Sequence, residues 1–281
     1  MSRVTIVTDS TASLPDGVAE ELGIVVVPLQ VVIGATSYDE GVATSDMVAD
    51  ALRSFTPVST SRPTPAAMVD VYEAAVENGA EEIVSIHLSR DMSGTFDSAE
   101  VASRDAPVPV LAVDTRQVGF ATGYAVLAAA AVARDGGTPE EVAAAALARA
   151  DATTSLFYVD TLEYLRRGGR VGAAAALLGS ALAVKPLLGL AGGRIVPLEK
   201  VRTAGKALTR LEDLAVEAAG ERSVEVTVAH LASPDRAEQL AARLADRVSL
   251  DAPVRVAELG AVLGAHVGPG MVAVCVTPAL D

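Results

Sequence analysis

Ile83-Val84-Ser85-Ile86-His87-Leu88-Ser89-Arg90-Asp91-Met92-Ser93-Gly94-Thr95 passes from an apolar run straight into a polar, hydroxyl-bearing stretch. Residues 83–88 read as a buried strand and residues 89–95 as a loop, with a helix expected over 96–104. A second passage matches it: Thr60-Ser61-Arg62-Pro63-Thr64-Pro65 leads into a helical pattern over residues 65–78, where Thr64 is a natural N-cap and Pro65 suits the first turn. Further strand-like runs lie at 4–7, 24–33 and 108–113. Helical patterns lie at 15–22, 45–53 (capped by Ser45), 119–134 and 138–150. Apolar strands alternating with helices predict a parallel sheet covered on both faces. Ligands of such sheets bind beyond the carboxyl ends of the strands, which is where both hydroxyl loops are expected. Hydroxyls and unpaired N–H groups at two helix starts suit a small anion. No acid, base or metal ligand crowds these loops, so the pattern favours holding a carboxylate over transforming it.

The pattern changes after about residue 154. A strand at 156–159 is followed by a short helix at 161–167, ended by Gly168-Gly169. Residues 171–183 are apolar nearly all round and are expected to be buried or to lie along an apolar ligand. The runs 184–190 and 194–201 flank Ala191-Gly192-Gly193, a hairpin signal. A helix at 204–219, a strand at 224–231 and a helix from Pro234, capped by Ser233, come next. Strands at 254–259 and 271–277 enclose a glycine-rich loop at 260–270. The predicted fold class is therefore α/β with two domains. Residues 1–154 form a parallel-sheet α/β domain carrying the hydroxyl loops, and residues 155–281 an α+β domain with a mixed sheet.

Composition narrows the function. The chain has 281 residues, enough for two ordinary domains, and 51% of them are hydrophobic, which supports a sizeable core. Only 3% are aromatic and Trp is absent, leaving little material for stacking bases or sugars. A formal charge of −14 argues against nucleic acid and against lasting attachment to anionic membranes. Basic residues nevertheless concentrate in one stretch: between Arg166 and Arg210 there are nine, against the single acid Glu199. Such a concentration suits phosphate or an acidic partner. Cys275 is the only cysteine and cannot form an intrachain disulfide. No signal peptide or spanning segment is read from the chain, so a soluble, cytoplasmic protein is expected.

Thr8-Asp9-Ser10-Thr11 ends the first strand, where aspartyl nucleophiles of phosphotransferases often sit. The second carboxylate expected of a metal-dependent site is missing, however, because Thr11 holds that position. Turn formation and capping explain the motif better. Ser93 lacks the first glycine of a Gly-x-Ser-x-Gly elbow, and nothing in the sequence places His87 or His266 beside it. A serine-dependent acyl-ester or acyl-phosphate hydrolase is the alternative reading. Gly168-Gly169-Arg170-Val171-Gly172 matches neither a Walker loop nor a dinucleotide fingerprint, and three histidines with one cysteine do not suggest zinc. His266, within Gly264-Ala265-His266-Val267-Gly268-Pro269-Gly270, is held by backbone geometry and is a candidate functional residue.

Together these motifs carry a resemblance. Thr8-Asp9-Ser10-Thr11, the 60–65 loop, Ser93-Gly94-Thr95-Phe96, Arg167-Gly168-Gly169-Arg170 and residues 264–270 resemble, in order and spacing, the DegV family over essentially the whole chain. The resemblance implies two α/β domains with a long-chain fatty acid buried between them. It implies a carboxylate held by Thr60 or Ser61 and by Ser93, with Gly94, Thr95 and His266 lining the site. It further implies an acyl-carrying subunit that serves a separate fatty-acid kinase in phospholipid synthesis, meets membranes only transiently and needs no cofactor. Arg170 and Arg202 then become candidates for facing phosphate or the kinase. The first loop departs from the family's usual Thr-Ser-Gln-Pro, with Arg62 in place of the glutamine. In the second, Met92 stands where leucine is common.

Overall fold

The computed structural model describes residues 4–177 and 185–279. It opens with β1 (Val4–Asp9), α1 (Val18–Leu22), β2 (Val25–Val27), β3 (Gln30–Ile33), β4 (Thr36–Asp39), α2 (Ser45–Arg53) and β5 (Val58–Ser61). Next come α3 (Pro65–Glu77), β6 (Glu82–His87), α4 (Thr95–Ala102), β7 (Val110–Asp114), α5 (Phe120–Arg134) and α6 (Pro139–Ala152). The remaining elements are β8 (Thr154–Tyr158), α7 (Glu163–Arg167), β9 (Lys185–Ala191), β10 (Arg194–Val201), α8 (Ala204–Ala219), β11 (Val224–His230), α9 (Pro234–Ala245), β12 (Arg255–Glu258), α10 (Ala261–Val267) and β13 (Val272–Pro278).

The chain divides into two units. One comprises the residues up to Gln30 together with Thr60–Asp151; the other comprises Val31–Ser59 and the chain from Ala152 onward. The chain thus changes unit three times, where the sequence pattern suggests one change near residue 154. The reason lies in polar ties that only the fold creates. The Ser45 hydroxyl donates to the Leu259 carbonyl at 2.6 Å, and the Glu40 carboxylate accepts from the Val262 N–H at 2.8 Å at the start of α10.

In the first unit a four-stranded sheet runs β2-β1-β6-β7 with every pair parallel, as the apolar strands imply. Alternation along the strands builds two cores. Ile6, Val84 and Ile86 pack under α5 and α6, against Val126, Ala129 and Val142. Val7 and Ile83 face Met68, Tyr72 and Ala99 of α3 and α4. The continuous β run expected over 24–33 is split into β2 and β3, since Pro28 lacks the N–H that a ladder needs.

The second unit carries a mixed six-stranded sheet, β10-β9-β8-β13-β11-β12, antiparallel except where β11 meets β12. The expected hairpin is present as β9 and β10, in register from Arg194 opposite Ala191. Helices α8 and α9 place Leu211, Ala215, Leu240 and Leu244 on Leu156, Val226 and Val274. Of the apolar 171–183 segment, Gly172–Leu177 forms a 3-10 turn, and residues 178–183 lie outside the described residues. Residues 260–270 are not an open loop: most of them form α10, with Gly264 close against Leu231. A third, small sheet has the order β4-β3-β5. The first hydroxyl loop therefore leaves β5 of this sheet and not a strand of the parallel sheet.

Candidate functional site

The two hydroxyl loops belong to the same unit, and the fold brings them together. Thr64 caps α3 as expected, accepting from the Ala67 N–H at 3.2 Å, with Pro65 in the first turn. Ahead of it the Ser61 hydroxyl lies 3.3 Å from Gln30 Oε1. The second loop is fixed at its base, where the Ser89 N–H reaches the Gln117 carbonyl at 2.8 Å and the Arg90 N–H reaches Asp114 at 3.3 Å. The N–H groups of Met92 and Ser93 both turn back to the Ser89 carbonyl at 3.0 Å. This tight turn presents the Ser93 hydroxyl 2.9 Å from that of Thr95. Gly94 precedes α4, whose start no side chain caps. The first N–H groups of a helix have no intrahelical acceptor, so this end keeps donor capacity for an anion. The two loops meet at Gly94, where the Arg62 guanidinium fills the space a side chain would need.

Behind the second loop lies a buried polar chain that the sequence pattern did not reveal as a unit. The Tyr72 hydroxyl donates to Ser85 at 2.9 Å, the Ser85 oxygen lies 2.7 Å from His87 Nε2, and His87 Nδ1 lies 2.9 Å from Asp9 Oδ2. Asp9 also accepts from the Leu88 N–H at 3.1 Å and from the Thr11 N–H and hydroxyl at 3.1 and 2.5 Å. All four side chains of the chain are fully buried. Burial pushes the Tyr72 hydroxyl above its ordinary pKa, outweighing its bond to Ser85. The expected capping role of Asp9 holds, because it starts the 3-10 turn Ser10–Ala12. Its second role follows from the parallel register, which pairs Thr8 with Ile86 and so sets Asp9 beside His87. Both ring nitrogens of His87 are thereby engaged, leaving neither for Ser93.

In the other unit, His266 sits on α10 with its ring in the space over Gly168. Arg170 Nη1 donates to the Gly168 carbonyl at 2.5 Å and closes the turn after α7. Burial, reinforced by the Arg170 charge, holds the His266 pKa down to about 4, so the imidazole is neutral at neutral pH. A neutral ring can donate one hydrogen bond to a carboxylate without forming an ion pair. Gly268 and Gly270 take positive φ angles of 75° and 88°, and the ring of Tyr164 covers the first.

Arg236, which the sequence pattern does not single out, holds this segment in place. Arg236 reaches the Gly270 carbonyl at 3.1 Å and Asp160 at 3.3 Å. Lys185 lies 2.9 Å from the Asp160 carbonyl oxygen and 3.4 Å from its carboxylate, which also accepts from Tyr158. Burial opposes ionisation of Asp160, but the Tyr158 hydrogen bond and the charges of Arg236 and Lys185 prevail and keep its pKa below the usual range.

The basic stretch is less free than its composition suggests. Arg166 and Arg167 both pair with Glu163 at 2.7 Å, and Arg210 pairs with Glu199 and Glu217 at 2.8 Å. The acids that answer Arg166, Arg167 and Lys185 lie just before the stretch, so a count along the sequence misses them. Arg202 is exposed between β10 and α8 and has no ion-pair partner among the described residues. Also among these residues, no group of three or more His, Cys, Asp or Glu could hold a metal ion. No helix there is long and apolar enough to cross a membrane.

Comparison with known proteins agrees with this architecture. A family model described as "Uncharacterised protein, DegV family" matches residues 3–279. The DegV domain-containing protein SCO2569 of Streptomyces coelicolor is 56% identical over 279 residues, covering 99% of each chain. A fatty-acid-binding DegV family protein of Thermus thermophilus superposes with a TM-score of 0.92 at 33% identity, over 99% of this chain and 100% of that one. DegV of Bacillus subtilis, described as a fatty acid binding protein, gives 0.90 at 31% identity over the same shares.

Proposed function

The chain belongs to the DegV family, and on that premise we propose that it binds a long-chain fatty acid and presents the carboxylate to a separate fatty-acid kinase. It performs no chemistry of its own in this reading. The observation that supports it best is the meeting of the two hydroxyl loops at Gly94, beside a helix start that no side chain caps. Thr60 or Ser61 on one loop and Ser93 and Thr95 on the other supply hydroxyl donors to the carboxylate, and the N–H groups around Gly94 add to them. A carboxylate taken from water without hydrogen bonds is unfavourable by several kcal/mol, and these donors remove that penalty. The acyl chain contributes about 0.8 kcal/mol per buried CH₂, which calls for an enclosed apolar channel. Within the second unit His266 is a candidate ligand residue, and Arg170 and Arg202 serve phosphate or the kinase. The protein acts in the cytoplasm and meets the membrane only in passing.

The test is native mass spectrometry of protein purified from bacteria, before and after delipidation. About one fatty acid per chain is expected, with a thermal shift on adding fatty acid back. Protein that carries no lipid and shows no shift would end the carrier reading. Turnover of an activated acyl ester that depends on Ser93 would favour the hydrolase instead.

A further inference from the structure

We infer that Arg62 is the residue that makes the headgroup site of this chain select an ionised carboxylate over a neutral single-chain amphiphile. The inference rests on the fatty-acid reading and deepens it.

Three observations carry it. First, the guanidinium does not extend away from the protein: its Nη1 and Cζ lie where a Cβ at Gly94 would stand, against the residue that joins Ser93 to α4. Second, among the described residues no hydrogen bond or ion pair engages it. Third, Arg90, the arginine of the second loop itself, is already satisfied. Arg90 pairs with Asp97 at 2.7 Å and stacks on the Phe96 ring at 4.9 Å. Asp97, the acid in the first turn of α4, is thereby turned toward Arg90. Arg62 is thus a cation left without an acid at the junction of the two loops, against the residue between Ser93 and Thr95.

The chemistry follows from the donor types. Hydroxyls and backbone N–H groups hydrogen-bond a carboxylate, but they also serve a neutral alcohol or amide. A guanidinium adds a charge and a planar fork that only an anion repays in full. Since Arg62 is exposed, its effect is screened by salt. A glutamine at this position offers an amide and no charge, so exchanging the two isolates the charge term.

The experiment measures displacement of a fluorescent acyl probe by tetradecanoic acid and by 1-tetradecanol, using wild type, Arg62→Gln and Arg62→Lys. Wild type should prefer the acid by at least about tenfold at low salt. Arg62→Gln should weaken the acid about tenfold while moving the alcohol less than twofold, and Arg62→Lys should fall between them. At high salt the difference between wild type and Arg62→Gln should shrink to about threefold or less. If Arg62→Gln keeps the wild-type preference for acid over alcohol, Arg62 has no such role, although the carrier reading stands. If wild type binds neither ligand, the carrier reading falls and this inference falls with it.

Discussion

The imidazole of His266 occupies the space in which a side chain at Gly168 would stand. One residue follows α7 and the other lies on α10, and the turn after α7 is closed by Arg170 on the Gly168 carbonyl at 2.5 Å. Gly168 adopts a helical backbone with φ −73°, so the glycine is needed for space and not for conformation. Gly168→Ala should therefore destabilise the protein by about 1–3 kcal/mol, the usual range for overpacking a filled site. Urea unfolding of the single variants and of Gly168→Ala with His266→Ala provides a coupling cycle, in which the double variant recovers part of the loss. Additive losses would mean that the two residues do not compete for space.

The same burial sets a pH dependence. The His266 pKa lies near 4 in the folded protein, below the ordinary 6.5 that applies when unfolded. As the pH falls the unfolded chain takes up this proton first. Above pH 6.5 the group leaves stability unchanged, between 6.5 and 4 stability falls, and below 4 its contribution levels off. His266→Asn should flatten that part of the curve, and the His266 ring resonance should titrate near pH 4. A midpoint near 6.5 would contradict the buried, neutral ring.

Asp9 accepts four hydrogen bonds in a fully buried setting, from Thr11 twice, His87 and Leu88. Asp9→Ala leaves these donors without an acceptor, at about 1–3 kcal/mol for each group that water cannot reach. A loss of several kcal/mol is expected in chemical denaturation, enough to unfold a marginal domain. Tyr72→Phe, which removes only the outer end of the chain, should lose about 1 kcal/mol. Equal effects of the two changes would show that the chain is not anchored at Asp9.

Thr60→Ala with Ser93→Ala should weaken fatty-acid binding by tenfold or more and leave circular dichroism unchanged. Each hydrogen bond to a charged oxygen is worth about 1.5–3 kcal/mol. Calorimetric titration of delipidated protein provides the measurement. Wild-type affinity in the double variant would move the headgroup away from these hydroxyls, with Ser61 the next residue to test.

Arg170→Ala and Arg202→Ala should separate holding the lipid from handing it on. Fatty-acid affinity should stay within about threefold, roughly 0.7 kcal/mol, while acyl-phosphate formation with a cognate kinase falls. Cations gain most where phosphate charge builds or an acidic surface docks. Loss of lipid with normal turnover per bound lipid would reverse these roles.

Much of the fold was written in local patterns. The apolar runs at β1, β6 and β7 gave the parallel sheet, Thr64-Pro65 gave the start of α3, and Ala191-Gly192-Gly193 gave the β9–β10 turn. Local cues also misled. Three glycines in residues 264–270 suggested an open loop, yet α10 forms because its core-facing residues Ala261, Val262 and Ala265 are buried and Glu40 binds the Val262 N–H at 2.8 Å. Ser45 looked like a helix cap, but Thr44 takes that role and the Ser45 hydroxyl goes to Leu259. Ser233 stands at the start of α9 without capping it through its side chain.

By itself, then, the sequence determined most of the segments that become strands and helices, though not β4, β5 or α10, and it marked both hydroxyl loops. Periodicity, caps and turn residues act between neighbours a few positions apart. What only the tertiary structure decided was which distant residues meet: Asp9 with His87, Arg62 with Gly94, His266 with Gly168, and Val31–Ser59 with the second unit. These contacts depend on strand register, on close packing around absent side chains and on acids beyond the basic stretch. None of these is expressed in the spacing of residues along one segment, because each arises when burial brings segments together and leaves each polar group to find its partner there.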